Sequence, residues 1–286
     1  MRDFRFQALI DLFRVLQKKE MGWRELWDYL SDWLRPTVKK PVANKIFDRR
    51  DFGYFKKIVF KLGKEDPLWF PRLIEPSTLG IRSWEYGLLL TQVSFKNRSV
   101  LDAGSGNSRL AKYLAKKGAR VTMLDMDQPL EETLVKKDKN LRFVLGDMTK
   151  LKFRDNTFER VICISAIEHV DMKSGGKFYS SKEYLERAKK AIRELARVTK
   201  KGGIFYLTTD FYLPRQKSDE WSGSGEKFRG AFPWSYIERF VDEMEMAGIN
   251  LNSVPVYDEK TILGDKRRSN YRGRYFSTFA FMGRKT

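Results

Sequence analysis

Val100-Leu-Asp-Ala-Gly-Ser-Gly-Asn-Ser-Arg109 is the stretch from which the rest of the chain is read. An apolar run over residues 99–101 ends in Asp102. Gly104 and Gly106 follow one residue apart, and Leu110, Tyr113 and Leu114 then recur at helical spacing. The pattern predicts a strand, a tight turn and a helix. Glycine suits such a turn because it takes positive φ and lets the backbone approach a ligand with no Cβ in the way. A turn at the carboxyl end of a strand is where open α/β sheets bind ligands. A dinucleotide fingerprint needs a third glycine three residues after the second, and this chain has Arg109 there. Asp102 also repels a phosphate and attracts an ammonium or other cationic ligand.

Outward from this turn the chain alternates. Strands are expected at 99–101, 120–124, 141–145, 158–164, 204–208, 249–256 and 274–282. Helices are expected at 108–117, 128–137, 181–199 and 234–247, with Gly118 and Gly248 closing the first and last. Leu185, Ala188, Ile192, Leu195 and Ala196 form the inner face of the third helix, and Lys201-Gly-Gly203 is expected to turn. Strands alternating with helices give a mainly parallel sheet with right-handed crossovers. No helix separates the last two strands, so they are expected to pair antiparallel as a long hairpin. Residues 1–81 lack the alternation. They read as a basic, helical extension, with helices near 4–18 and 21–34 and with Trp23, Trp27, Trp33 and Trp69. Such aromatics either stack bases or pack a helical subdomain.

An acidic residue closing the first strand, followed by G-x-G, resembles motif I of the class I S-adenosylmethionine-dependent methyltransferases. The resemblance spans residues 82–284 and implies a Rossmann-like, seven-stranded α/β fold, with residues 82–286 as the cofactor-binding domain. Asp125 ends the second strand about 20 residues after the glycine turn, the spacing at which a carboxylate reaches ribose hydroxyls; the alternative is a helix N-cap, a role that Asp127 fills better. The resemblance implies that Met126 packs on the adenine. It also implies that Asp147 accepts from the adenine amine and that the backbone amide of Met148 touches the ring. Asp102, Asp125 and Asp147 on one rim could instead hold a divalent cation, but a metal site does not need close backbone approach at Gly104 and Gly106. Ile164-Ser-Ala-Ile-Glu-His169 looks like the small-molecule, type-11 branch of the family, with Ser165 lining the methionine end. The tetrapeptide typical of amino-methyltransferases is absent. The helix before motif I makes Trp84 and Tyr86 lid candidates.

His169 is the candidate base for an acceptor hydroxyl, since an imidazole titrates near pH 6.5; the alternative is a structural histidine bonded to backbone. Residues 208–214 and the segment Trp221-Ser-Gly-Ser-Gly225 read as an acceptor-side lid. Arg267, Arg268, Arg272 and Arg274 could clamp phosphate or carboxylate, or form a solvated hairpin tip.

Composition bounds the rest. Of 286 residues, 42% are hydrophobic and 33% charged, as in a soluble globular protein. No apolar run approaches the roughly 20 residues that span a bilayer, and no signal-peptide pattern opens the chain, so a cytoplasmic protein is expected. One cysteine, Cys163, excludes an internal disulfide, and one histidine excludes a His-cluster metal centre, so no resident metal is expected. The net charge of +19 admits RNA, an anionic membrane surface or anionic substrates; a charged thermostable surface is the alternative. The expectation is an enzyme that uses S-adenosylmethionine to methylate an oxygen of a small or medium organic acceptor, sugar- or lipid-linked and anionic. The alternatives are an RNA methyltransferase and a non-catalytic binding protein on the same fold.

Overall fold

The computed structural model describes residues 45–46, 81–106, 110–127, 138–170, 180–212, 231–251, 269–271 and 274–286. The chain divides into two compact units, residues 1–42 with 47–93 and residues 43–46 with 94–286. In the first unit the described element is helix α1 (Ile81–Gln92), where Trp84 and Tyr86 are buried and Arg82 pairs with Glu85 at 3.0 Å.

The second unit is an α/β sheet. Its strands are β1 (Lys45–Ile46), β2 (Ser99–Ala103), β3 (Arg120–Asp125), β4 (Leu141–Leu145), β5 (Phe158–Ile164), β6 (Thr199–Tyr212), β7 (Phe232–Pro233), β8 (Ile249–Leu251), β9 (Ser269–Tyr271) and β10 (Arg274–Lys285). Its helices are α2 (Leu110–Lys116), α3 (Ser181–Val198) and α4 (Trp234–Met246). The order across the sheet is β1-β10-β6-β5-β2-β3-β4, with β7 beside β6 and with β8 and β9 beside β10. The pairs β2–β3, β3–β4, β2–β5 and β5–β6 are parallel, whereas β10 runs antiparallel to β6, β8 and β9. The seven expected strands are thus present, in a Rossmann-like arrangement. The chain leaves β2 toward β3 and β4, then crosses back to β5. The crevice between β2 and β5 is therefore the topological switch point at which such sheets take ligands.

One face of the sheet and two helices build the core. Leu101, Ala103, Leu124, Val161, Cys163, Phe205, Leu207, Phe279 and Phe281 meet Leu185, Ala188, Ile192 and Leu195 of α3 and Ile237, Phe240 and Met244 of α4. Each Leu, Ile or Phe so buried contributes about 1.5–3 kcal/mol. Ser180 opens α3 with a reciprocal cap: its side chain accepts from the Glu183 amide, and the Glu183 carboxylate accepts from the Ser180 amide at 2.9 Å.

Two boundaries differ from the sequence expectation. β2 runs on through Asp102 and Ala103, so Asp102 lies inside the strand, 3% exposed. The expected turn at 201–203 lies within β6. Phe158 pairs with Thr199 but Arg160 pairs with Ile204, so the register shifts across residues 200–203, where Gly202 has a φ of +71°. Two strands can stay paired around extra residues when those residues loop out of the ladder, and local composition does not distinguish that from a chain reversal. The expected helices at 4–18, 21–34 and 128–137, the lid at 221–225, and Arg267, Arg268 and Arg272 lie outside the described residues. Among the described residues, no helix is long and apolar enough to cross a membrane.

Candidate active site

Parallel strands put their carboxyl ends on one rim, and the expected site residues gather there. At the end of β2, Gly104 (φ +70°) donates its amide to the Leu124 carbonyl at 2.8 Å and Ser105 donates to the same oxygen at 3.1 Å. Gly106 (φ +48°) donates to Oδ2 of Asp125 at 2.7 Å, while Asp125 Oδ1 accepts from the Asp127 amide at 3.1 Å. The glycine turn is thereby stitched to the end of β3. A Cβ at Gly104 would lie 2.4 Å from Ala166 Cβ and 2.9 Å from Met148 Cε, so the turn is packed against the ends of β4 and β5. At Gly106 no described atom lies within 4 Å of such a Cβ: the inner glycine is closed in and the outer one faces open space. Met126, next to Asp125, is 55% exposed.

Asp147 follows β4. Its Oδ1 accepts from the Thr149 amide at 2.8 Å, and its Oδ2 lies 3.3 Å from Nη2 of Arg187 on α3. Burial pushes the Asp147 carboxyl up, but the Thr149 hydrogen bonds and the Arg187 guanidinium outweigh it and hold the group below its ordinary value. The Met148 side chain is buried against Gly104.

After β5 the chain turns sharply. Ser165 has a left-handed φ of +42°, and its amide is shared between the Thr208 carbonyl (3.2 Å) and hydroxyl (3.1 Å). A non-glycine residue held there costs about 1–3 kcal/mol, and such strain gathers at functional sites. A short 3-10 turn, Ile167–His169, follows. Its two ionisable residues part company: Glu168 is 1% exposed and accepts from the Thr209 hydroxyl at 3.1 Å, whereas His169 is exposed. Burial drives the Cys163 thiol well up, and the charges of Glu168, Asp102 and Asp125 add to that, so Cys163 is a protonated core residue. Among the described residues, no three His, Cys, Asp or Glu side chains converge as a metal-binding group.

The methyltransferase domain family model matches residues 101–207, which run from β2 into β6 and contain Asp102, Gly104, Gly106, Asp125, Asp147, Ser165 and His169. The chain carries a methyltransferase domain of the class I, S-adenosylmethionine-dependent family. The demethylmenaquinone methyltransferase of Thermobifida fusca is 24% identical over 190 residues, 65% of this chain and 73% of that one. The ubiquinone biosynthesis O-methyltransferase of Coxiella burnetii is 29% identical over 106 residues, 32% of this chain and 45% of that one. This chain thus spans less than half of that relative's length. The YcgJ protein of Bacillus subtilis covers 70% of this chain with 97% of its own, at 18% identity and a TM-score of 0.47.

The rim of this methyltransferase suits its cofactor in three respects. No described atom crowds the Gly106 backbone, Asp125 presents a carboxylate at the same turn, and Met126 offers exposed apolar surface beside it. Two contributors to the rim, Thr149 and Arg187, are absent from the sequence reading, as is the burial of Glu168. Asp147-Met-Thr149 is an Asx-turn signature, visible in principle. The burial of Glu168 and the reach of Arg187 to Asp147 depend on the tertiary fold and leave no local signal.

Proposed function

We propose that this methyltransferase transfers the methyl group of S-adenosylmethionine to an oxygen of a small or medium organic acceptor, sugar- or lipid-linked and bearing anionic groups. In this reading Asp125 accepts from the ribose hydroxyls, Met126 covers the adenine, and Asp147 with the Met148 amide reads the adenine edge. Asp102 attracts the ammonium group, and Ser165 lines the methionine end. Residues 82–286 are the catalytic domain and residues 1–81 an extension.

The cofactor supplies a methyl group already activated on a sulfonium, so the chain's task is alignment and, for a hydroxyl, proton removal. His169 carries the oxygen reading. It is an exposed imidazole on the turn after β5, at the rim, and it takes the proton as the acceptor oxygen bonds to the methyl carbon. The relative named as a ubiquinone biosynthesis O-methyltransferase supports the same chemistry.

An RNA acceptor draws on the net charge of +19. Among the described cations, however, Arg98, Arg120, Lys200 and Lys201 stand at the amino-terminal starts of strands, and Arg284 pairs with Ile204 on that same edge, opposite the rim. That placement favours the small acceptor.

The test is transfer of a labelled methyl group to a panel of phenolic, sugar and lipid-linked hydroxyls. Label on oxygen, with turnover lost in His169→Ala and cofactor binding retained, is the expected result. Label on nitrogen or carbon overturns the oxygen reading, and steeply salt-dependent RNA binding with methylated RNA as product establishes the alternative.

A further inference from the structure

Arg187 lies inside α3, and its side chain is 21% exposed. Its Nε donates to the Val170 carbonyl at 2.9 Å, and its Nη2 reaches Oδ2 of Asp147 at 3.3 Å. Val170 is the residue on which the 3-10 turn closes, since its amide bonds back to Ile167. One guanidinium therefore ties the segment after β4 to the turn after β5, using two edges of a rigid fork that a lysine lacks. Oδ1 of Asp147 is meanwhile pinned by the Thr149 amide at 2.8 Å.

We propose that Arg187 is a positioning residue that makes the base end of the cofactor crevice selective for an exocyclic amine, by holding the Asp147 carboxylate as an oriented acceptor. The inference rests on the reading of Asp147 as the adenine acceptor. A carboxylate has two lone pairs on each oxygen. The Thr149 amide, the Thr149 hydroxyl and Arg187 take three of those four positions, so the carboxylate keeps accepting capacity while its orientation is fixed. The pair with a guanidinium also keeps the group ionised, so it accepts and does not donate. An adenine amine is a donor and matches it. A hypoxanthine oxygen in the same place is an acceptor and leaves two electron-rich groups facing each other. Selectivity of this kind comes from the group left unpaired, and each tenfold of preference corresponds to about 1.4 kcal/mol. A guanidinium that only staples α3 to the loops would contribute to folding and leave this preference unchanged.

The experiment uses the full chain. S-adenosylhomocysteine and its deaminated analogue, S-inosylhomocysteine, are titrated calorimetrically into wild type, Arg187→Met, Arg187→Lys, Asp147→Asn and the double variant Arg187→Met/Asp147→Asn. The wild type is expected to prefer the adenosyl compound at least about tenfold. Arg187→Met should reduce that preference several-fold, and the double variant should lose no more than Asp147→Asn alone, because both changes disable one acceptor. Arg187→Lys keeps the charge without the fork. It should fold, as thermal melting checks, and lose part of the preference, so the test survives even if Arg187→Met does not fold. Full preference in both Arg187 variants, or losses that multiply in the double variant, overturns the inference while Asp147 stands. Wild-type affinity and preference in Asp147→Asn remove Asp147 from the site and take the inference with it.

Discussion

Gly104 and Gly106 are one residue apart and both left-handed, yet a methyl group would have opposite consequences at the two. At Gly104 it would enter the space of Ala166 Cβ, 2.4 Å away, in a buried junction. Overpacking of this kind costs about 1–3 kcal/mol, and a Cβ in the left-handed region adds about 1–2 kcal/mol. Gly104→Ala should therefore lower the urea midpoint markedly. At Gly106 the backbone penalty is the same but no described atom is struck. Gly106→Ala should cost about 1–2 kcal/mol of stability and, in addition, weaken S-adenosylhomocysteine binding, because the methyl group occupies the approach to the backbone. Unaltered affinity in Gly106→Ala would remove the outer glycine from the cofactor contact. Asp125 is bound to the same turn through the Gly106 amide at 2.7 Å. Asp125→Ala should weaken cofactor binding by about 1–3 kcal/mol, the penalty of unpaired polar contacts, and calorimetry would read this as a shift of roughly 5- to 150-fold. The glycine pair, Asp125 and Asp147 were legible in sequence because each is a local signal at or just after a strand end, whereas Asp102 proved to lie inside its strand. The split between an enclosed and an open glycine was not, because it depends on Met148 and Ala166, which come from the segments after β4 and β5.

At the level of elements, the segment before β5 is anchored by one side chain of α3. Arg197 donates to both oxygens of Glu194, at 2.8 and 2.9 Å, to the carbonyls of Phe153 (2.9 Å) and Leu151 (3.1 Å), and to Asp155 at 2.6 Å. Glu194 in turn accepts the Leu151 amide at 2.8 Å. Fixed to α3 in this way, residues 151–157 deliver Phe158 into the core and set where β5 begins, and hence where Ser165 and His169 emerge at its other end. Arg197→Ala strands two carbonyls and the Glu194 carboxylate together. It should destabilise the chain by about 2–4 kcal/mol, on the scale of a partly buried, hydrogen-bonded charge, and urea unfolding would report it. A loss below about 0.5 kcal/mol would mean that the anchor is solvated and idle. The sequence patterns located α3, α4 and the parallel strands to within a residue or two because their apolar periodicity is strong and their caps, Ser180 and Gly248, are local. They placed the strand at 204–208, the run that pairs in continuous register with β5, but missed its extension to Thr199 and Tyr212, beyond a register shift at one end. They were also silent on Arg197, whose partners other than Glu194 lie 42 to 46 residues away.

Across the whole sheet the charges separate by edge. The carboxyl-terminal rim carries Asp102, Asp125 and Asp147, while Arg98, Arg120, Arg160, Lys200 and Arg284 gather toward the opposite edge. Those cations stand away from the rim, whose carboxylates attract the positively charged cofactor. Crowding the cations together has a consequence for Arg160, whose guanidinium is pushed down by burial and by its neighbours Arg98 and Arg284. Glu159 offsets that repulsion. Its carboxylate accepts the Ser99 amide at 3.0 Å and Arg98 at 2.6 Å, and those contacts pull its pKa from 4.5 to about 2. Because the folded value lies below the unfolded one, the stabilisation is fully present above about pH 4.5 and is lost as pH falls toward 2. The pair is near the surface and screened, so its worth is about 1 kcal/mol. Glu159→Gln should then unfold at lower urea than wild type from pH 7 down to pH 5, and the two curves should converge between pH 4.5 and 2 as the wild-type carboxylate protonates. A gap that stays constant across that window would assign the loss to packing at the amino-terminal edge and not to charge. A gap that also shrinks in high salt at pH 7 would identify the repulsion among Arg98, Arg160 and Arg284 as what Glu159 relieves.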